Sequence, residues 1–533
     1  MATPEHGDRA AGQFLPAPNR RVSRVWPTLR IQYERLLRSD IRFAPWVVLV
    51  GLLLAPGVAA EQWQYVLLIV FVVSAGSLYM RWPTVGLALV VILWIIAPLI
   101  RRLLDYFVES KAGPDILSLA PFLATLTIGA LAYRRQKPSK AVLIVLLSVW
   151  AGFLWGTPAG LDDPFPLMFA LFSYIAATMG LLLGYHDWKR GTIVLEKLLL
   201  VIIPIVAAYA IYQFITPFLP PWDALWLKFE APISIGTKEQ GTFRAFSTLN
   251  SPGMLAGVLA LFALMLLVGP KITPWRLAAG GLTMAALLFT QVRSAWIAMA
   301  VAMVALIPVS RGGILGRVAI LLVILGGMYV FAGGSTAGQA VVDRAASVGD
   351  ASSGGDHSTN ERIQAITEFG PRALVQPIGD GLGSVGQASR LSSKGEPPFA
   401  DNGYLTIMWQ SGLLGFLLIY GAMLGGAIYG ARQLNSYKRK ERFPFVAIMI
   451  VTAVQSAAAD TLFGLAAVIL WYSLGALMAS SEDPECEALR VEKRTKAASA
   501  ELAVTYGPAQ PAPAPAPAPA PREPAPVAGS SSC

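Results

Sequence analysis

Trp82-Pro83-Thr84-Val85-Gly86-Leu87-Ala88-Leu89-Val90-Val91-Ile92-Leu93-Trp94-Ile95-Ile96-Ala97-Pro98-Leu99-Ile100 runs for nineteen residues without an ionisable side chain, and Arg101-Arg102 closes it. A helix rises about 1.5 Å per residue, so about twenty apolar residues cross the hydrocarbon layer of a bilayer. A helix lying on a soluble core keeps a polar face, and this stretch has none. It reads as a membrane span. Working outward, similar runs occur at roughly 43–60, 64–80, 116–133, 140–158, 164–185, 194–215, 251–269, 274–291, 295–309, 314–333, 403–431, 443–459 and 461–480. The chain is 55% hydrophobic and 14% charged, far below the roughly one quarter charged residues of soluble domains. The fold class expected is an all-α integral membrane protein with about 14 transmembrane helices.

The charges orient this map. Cytoplasmic loops carry an excess of Lys and Arg. Residues 1–42 hold eight arginines. With the N-terminus inside, the inner loops then carry Arg81, Arg134, Arg135, Lys137, Lys140, Lys189, Arg190, Lys271, Arg276, Arg311, Arg317, Arg432, Lys438, Arg439, Lys440 and Arg442. The outer loops hold Glu61, Asp162, Asp163 and Asp460, and the long loop 334–402 has eight acidic and five basic residues. Arg101 and Arg102 are the exception, offset by Asp105, Glu109 and Asp115. The net charge of +10 is thus a topology signal, not a nucleic-acid footprint. An even span count places both termini in the cytoplasm.

Three regions follow: a cytoplasmic basic segment 1–42, a polytopic membrane domain 43–480, and a cytoplasmic tail 481–533. The tail turns into a Pro-Ala repeat, which favours extended polyproline conformations and has no core to bury. Cys486 and Cys533, both in the tail, make neither a disulfide framework nor a cysteine metal site.

Two outer segments, 216–250 and 334–402, exceed what a connection requires, and long ordered loops carry function. The first ends Thr242-Phe243-Arg244-Ala245-Phe246-Ser247-Thr248-Leu249-Asn250. At an outer junction between spans stands Thr290-Gln291-Val292-Arg293-Ser294. Arginines at the outer rim run against the positive-inside trend, so Arg244 and Arg293 are candidate functional residues. Snorkelling to headgroups is the structural alternative. The long loop carries Glu361-Arg362-Ile363, then Pro377-Ile378-Gly379-Asp380-Gly381-Leu382-Gly383, then Asp401-Asn402-Gly403-Tyr404-Leu405. Gly379, Gly381 and Gly383 let backbone approach a ligand closely, although a tight turn explains such glycines as well.

Over roughly 200–430 this ordered set resembles the O-antigen ligase and O-antigen polymerase family of bacterial membrane glycosyltransferases. Phe243-Arg244, Val292-Arg293-Ser294, Glu361-Arg362-Ile363 and the Pro-x-Gly-x-Gly turn carry the resemblance. It departs at one position: Asp401 stands where ligases have a histidine before the asparagine. That departure favours a polymerase.

The resemblance implies a membrane glycosyltransferase C-type fold in the bacterial inner (cytoplasmic) membrane. It implies inverting transfer of O-antigen or exopolysaccharide repeat units from a polyprenyl diphosphate-linked glycan at the periplasmic face. A flippase and a chain-length regulator are the partners it implies. Arg244 and Arg293 would hold the leaving diphosphate, since a guanidinium fork binds two phosphate oxygens and stays protonated. Arg362 would be a third cation. Asp401 would take the acceptor proton or cap the following helix, and Asn402 and Tyr404 would bind sugar hydroxyls. No cofactor and no metal is expected; Asp162-Asp163 reads as negative-outside topology. The nearest rival is a ligase acting on lipid A core. A transporter or flippase is the rival of another class, but transporters keep charge near the midplane and show paired halves, unlike this chain.

Overall fold

A computed structural model describes residues 63–108, 116–230, 233–238, 243–268, 273–306, 357–392, 402–432 and 439–482. The segment 1–42, the expected spans 43–60 and 314–333, and the tail beyond 482 lie outside the described residues.

Every regular element among the described residues is helical. In chain order they are α1 (Trp63–Arg81), α2 (Pro83–Val108), α3 (Ala120–Arg135), α4 (Lys140–Trp155), α5 (Thr157–Gly160), α6 (Pro164–Ile215) and α7 (Pro221–Glu230). Then come α8 (Pro252–Val268), α9 (Pro274–Phe289), α10 (Arg293–Leu306), α11 (His357–Val375), α12 (Gly403–Ala431), α13 (Arg439–Ser456) and α14 (Gly464–Ser481). Proline stands at the first position of α2, α6, α7, α8 and α9, where its missing N–H costs no intrahelical bond.

Seven of these are long and apolar enough to cross a membrane: α1, α2, α3 with its leading 3₁₀ turn, α4 with α5, α6, α12 and α14. Shorter apolar stretches lie in α8, α10 and α13. Seven is the number among the described residues, outside which the expected spans 43–60 and 314–333 lie. The stretches 164–185 and 194–215, expected as two spans, make up α6, in which two helices join across a kink at Asp187, where the backbone leaves helical geometry. In α12 the helix breaks at Gly412, with φ of 67°.

The core forms where small residues let helices close. A Cβ at Gly184 would stand 1.9 Å from the Tyr472 carbonyl oxygen, and one at Gly475 would stand 2.0 Å from that of Leu181. These glycines let α6 and α14 meet backbone to backbone, the packing that lipid-embedded helices favour. Trp471, buried beside Gly180, lines this contact, while Leu474 and Leu477, also buried, face Gly426 and Gly430 of α12. At the end bearing the basic loops, Arg276 at the start of α9 pairs with Glu196 of α6. Arg81 and Arg134-Arg135 close the last turns of α1 and α3, where cations meet the negative end of the helix dipole.

Candidate active site

The opposite end of the bundle, read from the sequence as outer, gathers the candidate residues. It is built from a buried polar network. Arg102, near the end of α2, is fully buried and pairs with Asp223 of α7 at 2.6 Å. Its other nitrogen donates to the Ser247 carbonyl at 2.6 Å. Asp223 also accepts from the Tyr209 hydroxyl at 2.6 Å and from the Gln213 amide at 2.5 Å. Gln213 in turn accepts from the Ser247 N–H at 2.6 Å. The Arg102 guanidinium lies over the Phe246 ring, 5.0 Å from its centroid. Arg101 pairs with Asp105 at 2.7 Å. Both arginines that broke the charge rule are thus neutralised inside the protein.

The network fixes the segment 243–251, which carries Arg244. Two backbone bonds locate it: Arg244 N–H to the Ile235 carbonyl at 2.8 Å, and Ala245 N–H to the Phe289 carbonyl at 3.1 Å. Phe289 ends α9, and the next turn leads to Arg293, the first residue of α10. Arg293 is 9% exposed. The structure therefore brings together, through the Ala245–Phe289 backbone bond, two segments whose arginines stand 49 residues apart in sequence. Among the described residues, the two non-glycine residues with positive φ are Ser247 (50°) and Gln291 (55°). Each lies within three positions of one of these arginines. Such strain persists only where surrounding structure enforces it, and it concentrates at functional sites.

Arg362 sits on α11, and its Nε is buried without a hydrogen-bond partner. α11 packs on α12 through Phe369 and Trp409, whose rings meet edge to face at 5.3 Å. Arg372 of α11 lies 4.9 Å over the Trp409 ring.

The glycine turn is wedged between α12 and the α4–α6 connection. Leu382 N–H donates to the Gly156 carbonyl at 2.9 Å, and Asp380 N–H donates to that of Trp409 at 2.8 Å. Gly379, Gly381 and Gly383 all have positive φ. A Cβ on each would meet, at 2.5 Å, the backbone of Gly412, Gly160 and Pro166 respectively. The close approach these glycines permit is to protein backbone.

Asp401 lies outside the described residues. The cap of α12 is its neighbour: Asn402, 5% exposed, accepts from the Leu405 N–H at 3.0 Å. The cap that the sequence offered to Asp401 therefore falls one residue later, because Asn402 holds the extended backbone that precedes the first turn. The Tyr404 hydroxyl donates to the Ala453 carbonyl of α13 at 2.6 Å. Asn402 and Tyr404 are both engaged in holding α12 in place.

One further carboxylate, an outer-loop charge by sequence alone, belongs to this end of the bundle. Asp460 lies in the turn between α13 and α14. It accepts from the Tyr174 hydroxyl at 3.2 Å and from the Leu462 N–H at 3.1 Å. Burial pushes its carboxyl up to about 6, against the pull of those two donors. The missing Cβ of Gly403 points at this turn, 2.6 Å from the Ala459 carbonyl oxygen, so Asp460 neighbours the start of α12. Gly386 of the glycine turn stands 3.6 Å from its Oδ2 by the same measure. Gly464, just after the turn, lies beside Met254 at the start of α8. The Asp460 turn therefore adjoins the start of α12, with Asn402, and the glycine turn, and Gly464 after it adjoins the start of α8. Asp163, another of the outer acids, accepts from the Ser392 hydroxyl at 2.5 Å.

No curated protein matches the chain. Residues 278–420, about a quarter of its length, match the family model described as O-Antigen ligase. That segment spans most of α9, then α10, α11, the glycine turn and most of α12, and it includes Arg293, Arg362, Asn402 and Tyr404. Arg244 and Asp460 fall outside it but join it in space. Over residues 278–420 the chain is thus similar to the O-antigen ligase family.

Proposed function

We propose that the protein polymerises lipid-linked polysaccharide repeat units, by inverting transfer from a polyprenyl diphosphate carrier on the periplasmic side of the inner membrane. The observation that carries this reading is the docking of the Arg244 segment on the turn that leads to Arg293. A diphosphate leaving group gains negative charge as the glycosidic C–O bond breaks. Two guanidiniums carried by these docked segments would stabilise the transition state more than the ground state. Arg362, with its buried unpartnered Nε, suits a third contact to the same donor.

The acceptor hydroxyl attacks the anomeric carbon, the bond to the diphosphate breaks, and the hydroxyl proton passes to a carboxylate. Asp401 is the carboxylate that the motif supplies. Asp460, in the turn beside Gly403, is the second. A base works best with a pKa near the working pH, and Asp460 is closer to that condition than an ordinary aspartate. Asn402 and Tyr404 shape the acceptor side by fixing α12; the glycines of the turn shape it by letting the turn seat. The pair Asp401-Asn402 in place of His-Asn favours polymerase over ligase. A flippase and a chain-length regulator fit this reading as partners.

The test is the size and attachment of the product. Purified protein in liposomes, given a labelled polyprenyl-diphosphate repeat unit, should make a ladder of longer glycans still on the carrier. Transfer only to added lipid A core would make it a ligase. Movement of label across the bilayer without transfer would make it a transporter.

A further inference from the structure

The two arginine-bearing segments also hold polar groups that the protein leaves unanswered. Gln291 is 6% exposed and Thr248 is 5% exposed. The Gln291 Nε2 and the Thr248 Oγ1 are both buried without a hydrogen-bond partner, as is the Oδ1 of nearby Asn250. A buried donor or acceptor left unpaired is costly, so proteins seldom keep one without a use. Here three occur within two short segments joined by the Ala245–Phe289 bond. Two of them border the strained residues: Gln291 has positive φ itself, and Thr248 follows Ser247. Strain at Ser247 is enforced by the Arg102–Gln213 network, which grips both its N–H and its carbonyl. The fold therefore holds these side chains in place at a cost in its own stability.

The chemistry of the set is mixed. The Gln291 amide nitrogen donates only, the threonine hydroxyl donates or accepts, and the asparagine oxygen accepts. A bare anion presents acceptors alone. A sugar joined to a diphosphate presents phosphate oxygens beside hydroxyl donors, which answers all three. We infer that Gln291 and Thr248 bind the donor's diphosphate and first sugar beside Arg244 and Arg293, with Asn250 accepting from a sugar hydroxyl. This rests on the reading of the two arginines as the diphosphate clamp.

The experiment compares wild type with the double variant Thr248→Val, Gln291→Met in detergent. Both replacements keep the side-chain length and the Cβ, so the backbone strain is unchanged. Binding of a short-chain polyprenyl diphosphate, with and without its first sugar, is measured beside thermal unfolding without ligand. The expected result is affinity about tenfold weaker or more, with an unfolding temperature equal to or above wild type, since unanswered polar groups have been removed. Unchanged affinity in a variant that transfers glycan normally overturns the inference and leaves the clamp standing. A lowered unfolding temperature with unchanged affinity also overturns it, and makes the two side chains structural. Wild type that neither binds the diphosphate nor transfers glycan overturns the underlying reading, and the inference with it.

Discussion

Arg102 and Asp223 are 121 residues apart in sequence, 2.6 Å apart in space, and fully buried. An ion pair in that position is worth little for stability by itself, because both charges leave water to form it. Its consequence is positional. The same guanidinium holds the Ser247 carbonyl, and the same carboxylate holds Tyr209 and Gln213, so the pair sets the segment that bears Arg244.

Breaking this pair on one side strands a buried charge. Arg102→Met and Asp223→Leu should each destabilise the protein by about 3–5 kcal/mol, whereas the double variant should lose much less than the sum. Thermal unfolding in detergent checks the stability. The double variant should still transfer poorly, because the Ser247 contact is gone. Full activity in the double variant would show that the network does not position the site.

Asp460 gives a pH signature. Its folded carboxyl titrates near 6, above the ordinary aspartate value, because burial disfavours the charged form. A raised acid pKa means that the folded state binds the extra proton between about pH 4 and pH 6. The ionised group is then a stability penalty, absent below about pH 4 and complete above about pH 6. Asp460→Asn should stabilise the fold by on the order of 2 kcal/mol near pH 8 and leave stability near pH 4 unchanged. Transfer should fall about 100-fold or more. In wild type the rate should decline as pH drops through about 6. A variant that is stabilised and fully active would remove Asp460 from the mechanism.

The glycine turn predicts the opposite pattern. Gly379→Ala and Gly383→Ala add a Cβ against backbone 2.5 Å away at positive φ. Neither the φ nor the backbone can yield cheaply, so each should cost about 2–4 kcal/mol. Affinity of the surviving folded fraction for a polyprenyl diphosphate should match wild type. Weakened binding at normal stability would restore these glycines to the substrate surface.

Much of this fold is legible in the sequence, because hydrocarbon demands long apolar helices and the stretch 82–100 supplies one without interruption. The ordered motifs around Arg244, Arg293 and Arg362 are legible too, since each is a short stretch read whole. Other features depend on tertiary contact. Nothing local to Arg102 points to Asp223. Gly381 reads equally well as a ligand cradle or a packing contact, because a missing Cβ serves either, and Gly160 decides it. Asp460 looks like an ordinary outer charge until Tyr174, nearly 300 residues away, closes over it. The stretches 164–185 and 194–215 read as separate spans because the polar run from His186 to Arg190 interrupts the apolar pattern, and the kink at Asp187 falls within that run.

The claim beneath all of this is that Arg293 stabilises a leaving diphosphate. It is tested by single-turnover transfer from a labelled polyprenyl-diphosphate repeat unit, with Arg293→Ala and Arg293→Lys beside wild type in liposomes. The account predicts a loss of about 10²–10³-fold in the chemical step for alanine, with partial retention for lysine, which keeps the charge and loses the fork. Transfer at the wild-type rate in a folded Arg293→Ala variant would contradict it.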